Sequence, residues 1–292
     1  MASTRMLFAV LLAALVSSSP DAVSAQTIDA GRGELPLVVP SDYDPGTPLP
    51  LVVLLHGYGS SGARQEAYMR FGALADSHQF LLVNPDGTEE SGGENRRFWN
   101  ASEACCNFMR STVDDSAYVM SIVDAVKAQY SIDPKRVYLI GHSNGGFMSY
   151  RTAYDHSDTI AAIASIAGAA STDEPPAPSN PVHVLQIHGT ADTVIAYEGG
   201  SFQGGPRHPG AREDVEAWAR HNGCAAGGVA TGTLDLDRGL DDLETEVTRY
   251  TAGCKAGGSA ELWTINGGGH GPAVSDHFSR LVVEWLLGHP KP

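Results

Sequence analysis

The chain has 292 residues and a formal charge of −15, from 19 basic and 34 acidic side chains. That balance excludes nucleic acid and anionic membranes as expected partners, because both would be repelled on average. A content of 42% hydrophobic and 18% charged residues describes a globular chain rather than a fibrous or low-complexity one, at a length that suits one α/β domain.

Residues 1–25 read as an export signal. Arg5 supplies positive charge, residues 6–16 form an apolar run, and Val23-Ser24-Ala25 closes it with small side chains. Cleavage is expected before Gln26, leaving 26–292 as a single catalytic domain, secreted to the periplasm or beyond. The run is short for a membrane span, and no later segment approaches the length a span needs. Short apolar runs follow at 35–39, 51–55, 80–83, 137–140, 160–166, 182–187 and 261–265, several of them apolar throughout, as buried parallel strands are. Helical patterns alternate with them. Asp114-Asp115 caps an apolar series at Val119, Ile122, Val123 and Val126 that ends near Tyr130, and Asp133-Pro134 breaks the chain before the next strand. Residues 145–156, 211–222 and 276–287 read as further helices. The alternation predicts an α/β fold with a mostly parallel central sheet flanked by helices.

Four cysteines in an exported chain read as disulfides rather than metal ligands. Cys224 and Cys254 flank an insert rich in Gly and Asp, where a bridge would staple a long loop. Cys105 and Cys106 would then have to close a ring between neighbours. Cross-pairing of the two regions, or free buried thiols at Cys105 and Cys106, stays open. Asp235, Asp237, Asp241 and Asp242 match no calcium-loop spacing and read as a solvated acidic loop, so no metal is expected.

The chemistry concentrates at Gly141-His142-Ser143-Asn144-Gly145. Two glycines let a strand turn sharply into a helix and lift Ser143 onto a strained corner, with a buried strand before it and Phe147-Met148-Ser149-Tyr150 continuing as helix after it. A serine hydroxyl needs a base, a group that orients the base, and donors for the oxyanion. In the order that this turn implies, Asp192 follows one later strand in His188-Gly189-Thr190-Ala191-Asp192, and His270 follows the last in Gly267-Gly268-Gly269-His270-Gly271-Pro272. Asp173, Glu174 and Glu198 are rivals to Asp192, but none directly follows a strand. Among rival histidines, His142 should point away from the hydroxyl, since neighbouring strand residues face opposite ways; His188 could hold the Asp192 loop, and His56 belongs to an oxyanion loop. The backbone N–H groups of Asn144 and of Tyr58, in His56-Gly57-Tyr58-Gly59, are the expected oxyanion donors.

These residues resemble the secreted polyhydroxybutyrate depolymerase-like esterases, close to the feruloyl esterases. The likeness covers nearly all of the mature chain. It rests on His56 to Gly59, Asn84-Pro85-Asp86-Gly87, Trp99-Asn100, Cys105-Cys106, Val113-Asp114-Asp115, Gly141 to Met148, the stretch ending in Asp192 and the one around His270. It implies an α/β-hydrolase fold, a Ser143–Asp192–His270 triad, an oxyanion hole at Tyr58 and Asn144, no cofactor, and an ester or polyester substrate. Hydroxyalkanoate oligomers or polyesters lead, with feruloyl esters of plant polysaccharide or aromatic polyesters as alternatives. Tyr58 and Trp99 are expected to flank the substrate with aromatic faces, with packing in the core as the equal alternative for Trp99. Relatives of this kind commonly carry a separate polymer-binding module, whereas this chain ends shortly after its final helix, which puts attack on insoluble polymer in doubt. A monomer is expected. An inactive hydrolase fold used as a binding module, and a peptidase with the same triad, are the readings from other classes.

Overall fold

The computed structural model describes residues 26–92, 96–172 and 178–292. The export signal expected at 1–25, together with Asp173 and Glu174, lies outside the described residues. In chain order the strands are β1 (Gln26–Asp29), β2 (Glu34–Val38), β3 (Leu49–Leu55), β4 (Leu81–Val83), β5 (Thr88–Glu89), β6 (Arg97–Phe98), β7 (Ile132–His142), β8 (Ala162–Ile166), β9 (His183–Gly189), β10 (Gly200–Ser201), β11 (Arg207–His208), β12 (Val229–Leu234), β13 (Thr245–Tyr250) and β14 (Ser259–Ile265). The helices are α1 (Gly62–Met69), α2 (Ala75–His78), α3 (Asp115–Lys127), α4 (Asn144–Asp155), α5 (Ala211–His221) and α6 (Phe278–Leu287).

One sheet of ten strands runs β1-β2-β4-β3-β7-β8-β9-β14-β13-β12. From β4 to β14 neighbours are parallel, and antiparallel pairs close both edges. β3 shows why such strands read as continuous apolar runs. Leu51, Val53 and Leu55 turn to one face and pack with α3, α4 and α5 through Val119, Ile122, Phe147 and Trp218, while Val52 and Leu54 turn to the other and meet Met69, Phe278 and Val282. With both faces covered, every residue of β3 is buried. The mostly parallel sheet flanked by helices is therefore the architecture of this chain.

The sheet is wider than its apolar runs indicate. The segment between Cys224 and Cys254, expected as a loop, forms β12 and β13; β12 is an exposed edge strand whose residues give no apolar alternation, and its register shifts between Ala230 and Gly232. β7 starts at Ile132 and runs through Asp133-Pro134, where a break was expected, because Leu49 pairs with Ile132 and regular pairing resumes only at Leu51 with Val137. Helix α1 has no counterpart in the apolar pattern, since little of it beyond Gln65 and Met69 is buried. Both adjacent pairings of the cysteines form, Cys105 with Cys106 and Cys224 with Cys254, the latter joining the end of α5 to the end of β13. Asp237 departs from the expected solvated loop. It is 6% exposed and accepts from the backbone N–H groups of Gly239 (2.9 Å) and Ala273 (3.1 Å).

Candidate active site

Four loops leave the carboxyl ends of β3, β7, β9 and β14 and meet above the sheet, the edge where ligands of open α/β sheets collect. Ser143 stands between β7 and α4 at φ 53°, ψ −120°, a conformation that a side chain rarely adopts unless its surroundings impose it. The glycines around it show how they do so. A Cβ on Gly141 would collide with the carbonyl of Gly145, and one on Gly145 would collide with the carbonyls of Leu55 and His56. The strand, the turn and the oxyanion loop therefore touch backbone to backbone. A Cβ on Gly57 would lie 3.3 Å from that of Ser143, so the loop carrying Tyr58 backs directly onto the serine.

Ser143 Oγ lies 2.9 Å from Nε2 of His270, and Nδ1 of His270 lies 2.8 Å from Oδ2 of Asp192. With Nδ1–H donating to the carboxylate, Nε2 is left as an acceptor facing the hydroxyl. Burial opposes the charge on Asp192, but hydrogen bonds from His188 and His270 and from the backbone N–H of Val194 outweigh it and hold the carboxyl well below the usual range. Its other oxygen accepts from Val194 N (2.8 Å) and Ile195 N (2.9 Å).

Behind Asp192 lies a buried polar line that the sequence pattern only hints at, through a lone Gln in an apolar strand. Gln186 accepts from Tyr150 Oη (2.9 Å) and donates through Nε2 to the Gly168 carbonyl (2.8 Å) and to Nδ1 of His188 (3.0 Å). Because a carbonyl can only accept, the amide orientation is fixed, and with it the tautomer of His188. Its Nε2–H donates to the Ile195 carbonyl (2.8 Å) and to Asp192 Oδ2 (3.2 Å). His188 thus touches the acid and not the serine.

His142 reaches the loop of His270 and, among the described residues, makes no hydrogen bond to Ser143 Oγ. Its Nε2–H donates to the His270 carbonyl at 2.9 Å, and its ring packs beside those of His270 (5.3 Å) and Tyr68 (5.8 Å). Burial pushes its pKa down to about 4, so the ring is neutral at pH 7. Tyr68 Oη adds a second tether, donating to the Pro272 carbonyl at 2.5 Å. Neither contact is legible in the sequence, because Tyr68 belongs to the unforeseen α1.

His56 is buried within the oxyanion loop, its Nδ1–H donating to the Gly57 carbonyl (2.8 Å) and its Nε2 accepting from Gly87 N (2.9 Å). Trp99 takes the packing role and not the substrate-facing one. It is 0% exposed, its indole N–H donates to the His56 carbonyl (2.9 Å), and its backbone is clasped by the Asn144 side chain through bonds of 2.7 and 3.0 Å. It supports the oxyanion loop from below and offers no face to a substrate. Since the Asn144 side chain is engaged with Trp99, any part of Asn144 in binding an oxyanion falls to its backbone N–H, at the first position of α4, where helix N–H groups lack helical partners. Tyr58 is half-buried beside the serine, and its hydroxyl donates to Glu90 Oε1 at 2.8 Å. The cavity at Ser143 is about 350 Å³. A hollow of about 620 Å³ along Asn100, Asn107 and Arg110 is larger but contains none of these reactive groups.

Comparison with known proteins bears on the family and the fold. The profile of a family described as phospholipase/carboxylesterase matches residues 38–203. Feruloyl esterase B of Piromyces equi is 28% identical over 239 residues, 79% of this chain and 41% of the relative. Poly(3-hydroxyalkanoate) depolymerase C of Paucimonas lemoignei is 33% identical over 165 residues, 56% of this chain and 39% of the relative. The chain thus spans less than half the length of these curated relatives. The structure of an acetyl xylan esterase from Aspergillus awamori superposes with a TM-score of 0.64 at 16% identity, covering 89% of this chain and 98% of that one, a likeness of fold.

Proposed function

This chain belongs to the phospholipase/carboxylesterase family, and we propose that it is a secreted serine esterase in which Ser143, His270 and Asp192 hydrolyse carboxylic esters through an acyl-enzyme. One observation carries the reading: the unbroken line from Ser143 Oγ through His270 to Asp192, at 2.9 and 2.8 Å, on a strained turn between strand and helix. His270 Nε2 takes the serine proton as Oγ attacks the ester carbonyl, and the ionised Asp192 stabilises the imidazolium that forms. The oxyanion is received by the backbone N–H groups of Tyr58 and Asn144. His270 then protonates the departing alcohol, and by the reverse sequence activates the water that releases the acid.

The substrate we propose is an oligomer or polyester of hydroxyalkanoates, in keeping with the depolymerase relative; a feruloyl ester is the second reading, favoured by the longer match to feruloyl esterase B. Export through residues 1–25 and action as a monomer belong to the same proposal. An inactive binding module would have no use for an aligned base and buried acid. Ser143→Ala, assayed on a short-chain nitrophenyl ester, should lose turnover by a factor on the order of 10⁶, and unchanged turnover would overturn the mechanism. Hydrolysis of the matching amide at a comparable rate would favour a peptidase instead.

A further inference from the structure

Arg64 stands in the wall of the Ser143 cavity, together with Tyr58, Tyr68, His142 and His270. No lining residue is Asp or Glu, and Arg64 alone among them carries a permanent charge. Among the described residues no carboxylate pairs with it, whereas Arg32, Arg97, Arg151, Arg207, Arg249 and Arg280 each hold an acidic partner. On a chain of charge −15 an anionic substrate is repelled over most of the surface, and an unpaired cation in the cleft gives it a local attraction there.

The helix that carries this exposed side chain is fixed against the site. Helix α1 starts at Gly62, where a Cβ would collide with the Asn84 carbonyl, and Gly62 N donates to Asp86 Oδ1 at 2.8 Å. Gln65 Oε1 accepts from Gly57 N at 3.4 Å and fastens the helix to the oxyanion loop. Arg64 and Tyr68, one turn apart, face the same cavity. On another wall, Tyr58 is backed edge-on by Phe108 at 5.2 Å, and Phe108 by Phe202 at 6.0 Å. Phe108 remains 44% exposed, so an apolar surface lies behind Tyr58, while the cavity itself carries a cation at α1.

We infer that Arg64 binds a free carboxylate on the alcohol portion of the ester, so that the preferred substrates are acid-terminated short oligomers of hydroxy acids and the terminal hydroxy acid is the leaving group. The inference rests on the reading of Ser143 as nucleophile. Oγ forms the new bond to the acyl carbon, the bond from that carbon to the alcohol oxygen breaks, and His270 hands the serine proton to that oxygen. The released hydroxy acid keeps its carboxylate on Arg64 throughout. His270 and Arg64 line one cavity, and in a β-hydroxy acid the carboxylate lies only a few bonds from the oxygen that His270 protonates. A feruloylated sugar, neutral at its alcohol end, would gain nothing from this contact.

The test compares the 3-hydroxybutyrate dimer bearing a free carboxylate with the same dimer capped as a neutral N-methylamide, in wild type, Arg64→Gln and Arg64→Lys. The readout is the ratio of kcat/KM for the acid to that for the amide within each protein, which cancels differences in folded fraction. Wild type should favour the acid by about five-fold, the upper range for a partly exposed ion pair. Arg64→Gln should bring the ratio to one or below, Arg64→Lys should lie between, and the wild-type preference should shrink at roughly 1 M salt, where the screening length is about 3 Å. A wild-type ratio near one, a ratio that survives in Arg64→Gln, or wild-type turnover of nitrophenyl esters but of neither dimer would overturn the role of Arg64. Failure of the esterase reading itself shows separately, as nitrophenyl ester turnover that persists in Ser143→Ala.

Discussion

Exchange of Asp192 for Asn is the most discriminating perturbation of the site, because the carboxylate meets four donors and an amide can serve only two of them well. Oδ1 accepts from two backbone N–H groups, of Val194 and Ile195, which cannot change their polarity. The amide oxygen must stay there, and the NH₂ group then faces His188 and His270 on the Oδ2 side. His188 cannot comply, since the fixed Gln186 amide donates to its Nδ1 and the Ile195 carbonyl needs its Nε2–H. His270 can, by moving its proton from Nδ1 to Nε2. That tautomer donates to Ser143 Oγ where the mechanism needs an acceptor. The corresponding exchange in a serine protease triad lowers kcat by about 10⁴, or roughly 5.4 kcal/mol at 1.36 kcal/mol per decade. Steady-state kinetics on a nitrophenyl ester should show a loss of that order in kcat with a small change in KM. Thermal unfolding of the same sample should show a folded protein weakened by about 1–3 kcal/mol for the unmatched buried donors. Turnover within ten-fold of wild type in a folded Asp192→Asn protein would refute the tautomer argument.

Further outcomes follow from stability. His142 has its pKa pushed down to about 4, mainly by burial, against about 6.5 in an unfolded chain. Above pH 6.5 the ring is neutral in both states and contributes no pH dependence; between 6.5 and 4 the unfolded chain takes up a proton that the folded protein refuses, so stability falls with acid, by at most about 3 kcal/mol given that the ring borders the cleft. His142→Gln, whose amide can still donate to the His270 carbonyl, should flatten urea-measured stability between pH 7 and pH 4.5 relative to wild type, and parallel curves for the two proteins would contradict the assignment. Cys224 and Cys254 are 30 apart in sequence, and losing the loop constraint in Cys224→Ser/Cys254→Ser should cost about 3.5 kcal/mol, read as a lower denaturant midpoint with a slope that rises as the freed unfolded chain exposes more surface.

The parts legible in sequence share one physical property: a local pattern that burial enforces. Strands β3, β7, β8, β9 and β14 are covered on both faces and so are written as apolar runs, and the loops after them carry Ser143, Asp192 and His270 at their ends. What was not legible depends on one-sided or long-range contact. Edge strand β12 is exposed almost throughout and has no period to read. Helix α1 is pinned by a glycine pressed against a distant carbonyl, and that contact brings Arg64 and Tyr68 to the cleft. From sequence, an aromatic residue such as Trp99 suits both an acyl chain and a packed core. Its neighbours in sequence could not disclose that its indole N–H has the His56 carbonyl as partner, 43 residues away.

On the reading proposed above, chemistry and selectivity are housed in different parts of the fold. The loops of Asp192 and His270 are laced together by backbone bonds, Thr190 N to the Ile265 carbonyl (3.0 Å) and Ala191 N to the Gly268 carbonyl (2.9 Å), and a Cβ on Gly189 would collide with Gly268. Ser143 is fixed by equally close contacts to the oxyanion loop. Such backbone-to-backbone packing leaves little room for side-chain variation without a shift in the triad. The cleft walls differ in kind. Arg64 lines the cavity from α1, Phe108 in the loop before α3 stands behind Tyr58, and neither makes a hydrogen bond to Ser143, Asp192 or His270 among the described residues. On that reading, variation at those two positions changes which ester is accepted while the triad geometry stays fixed.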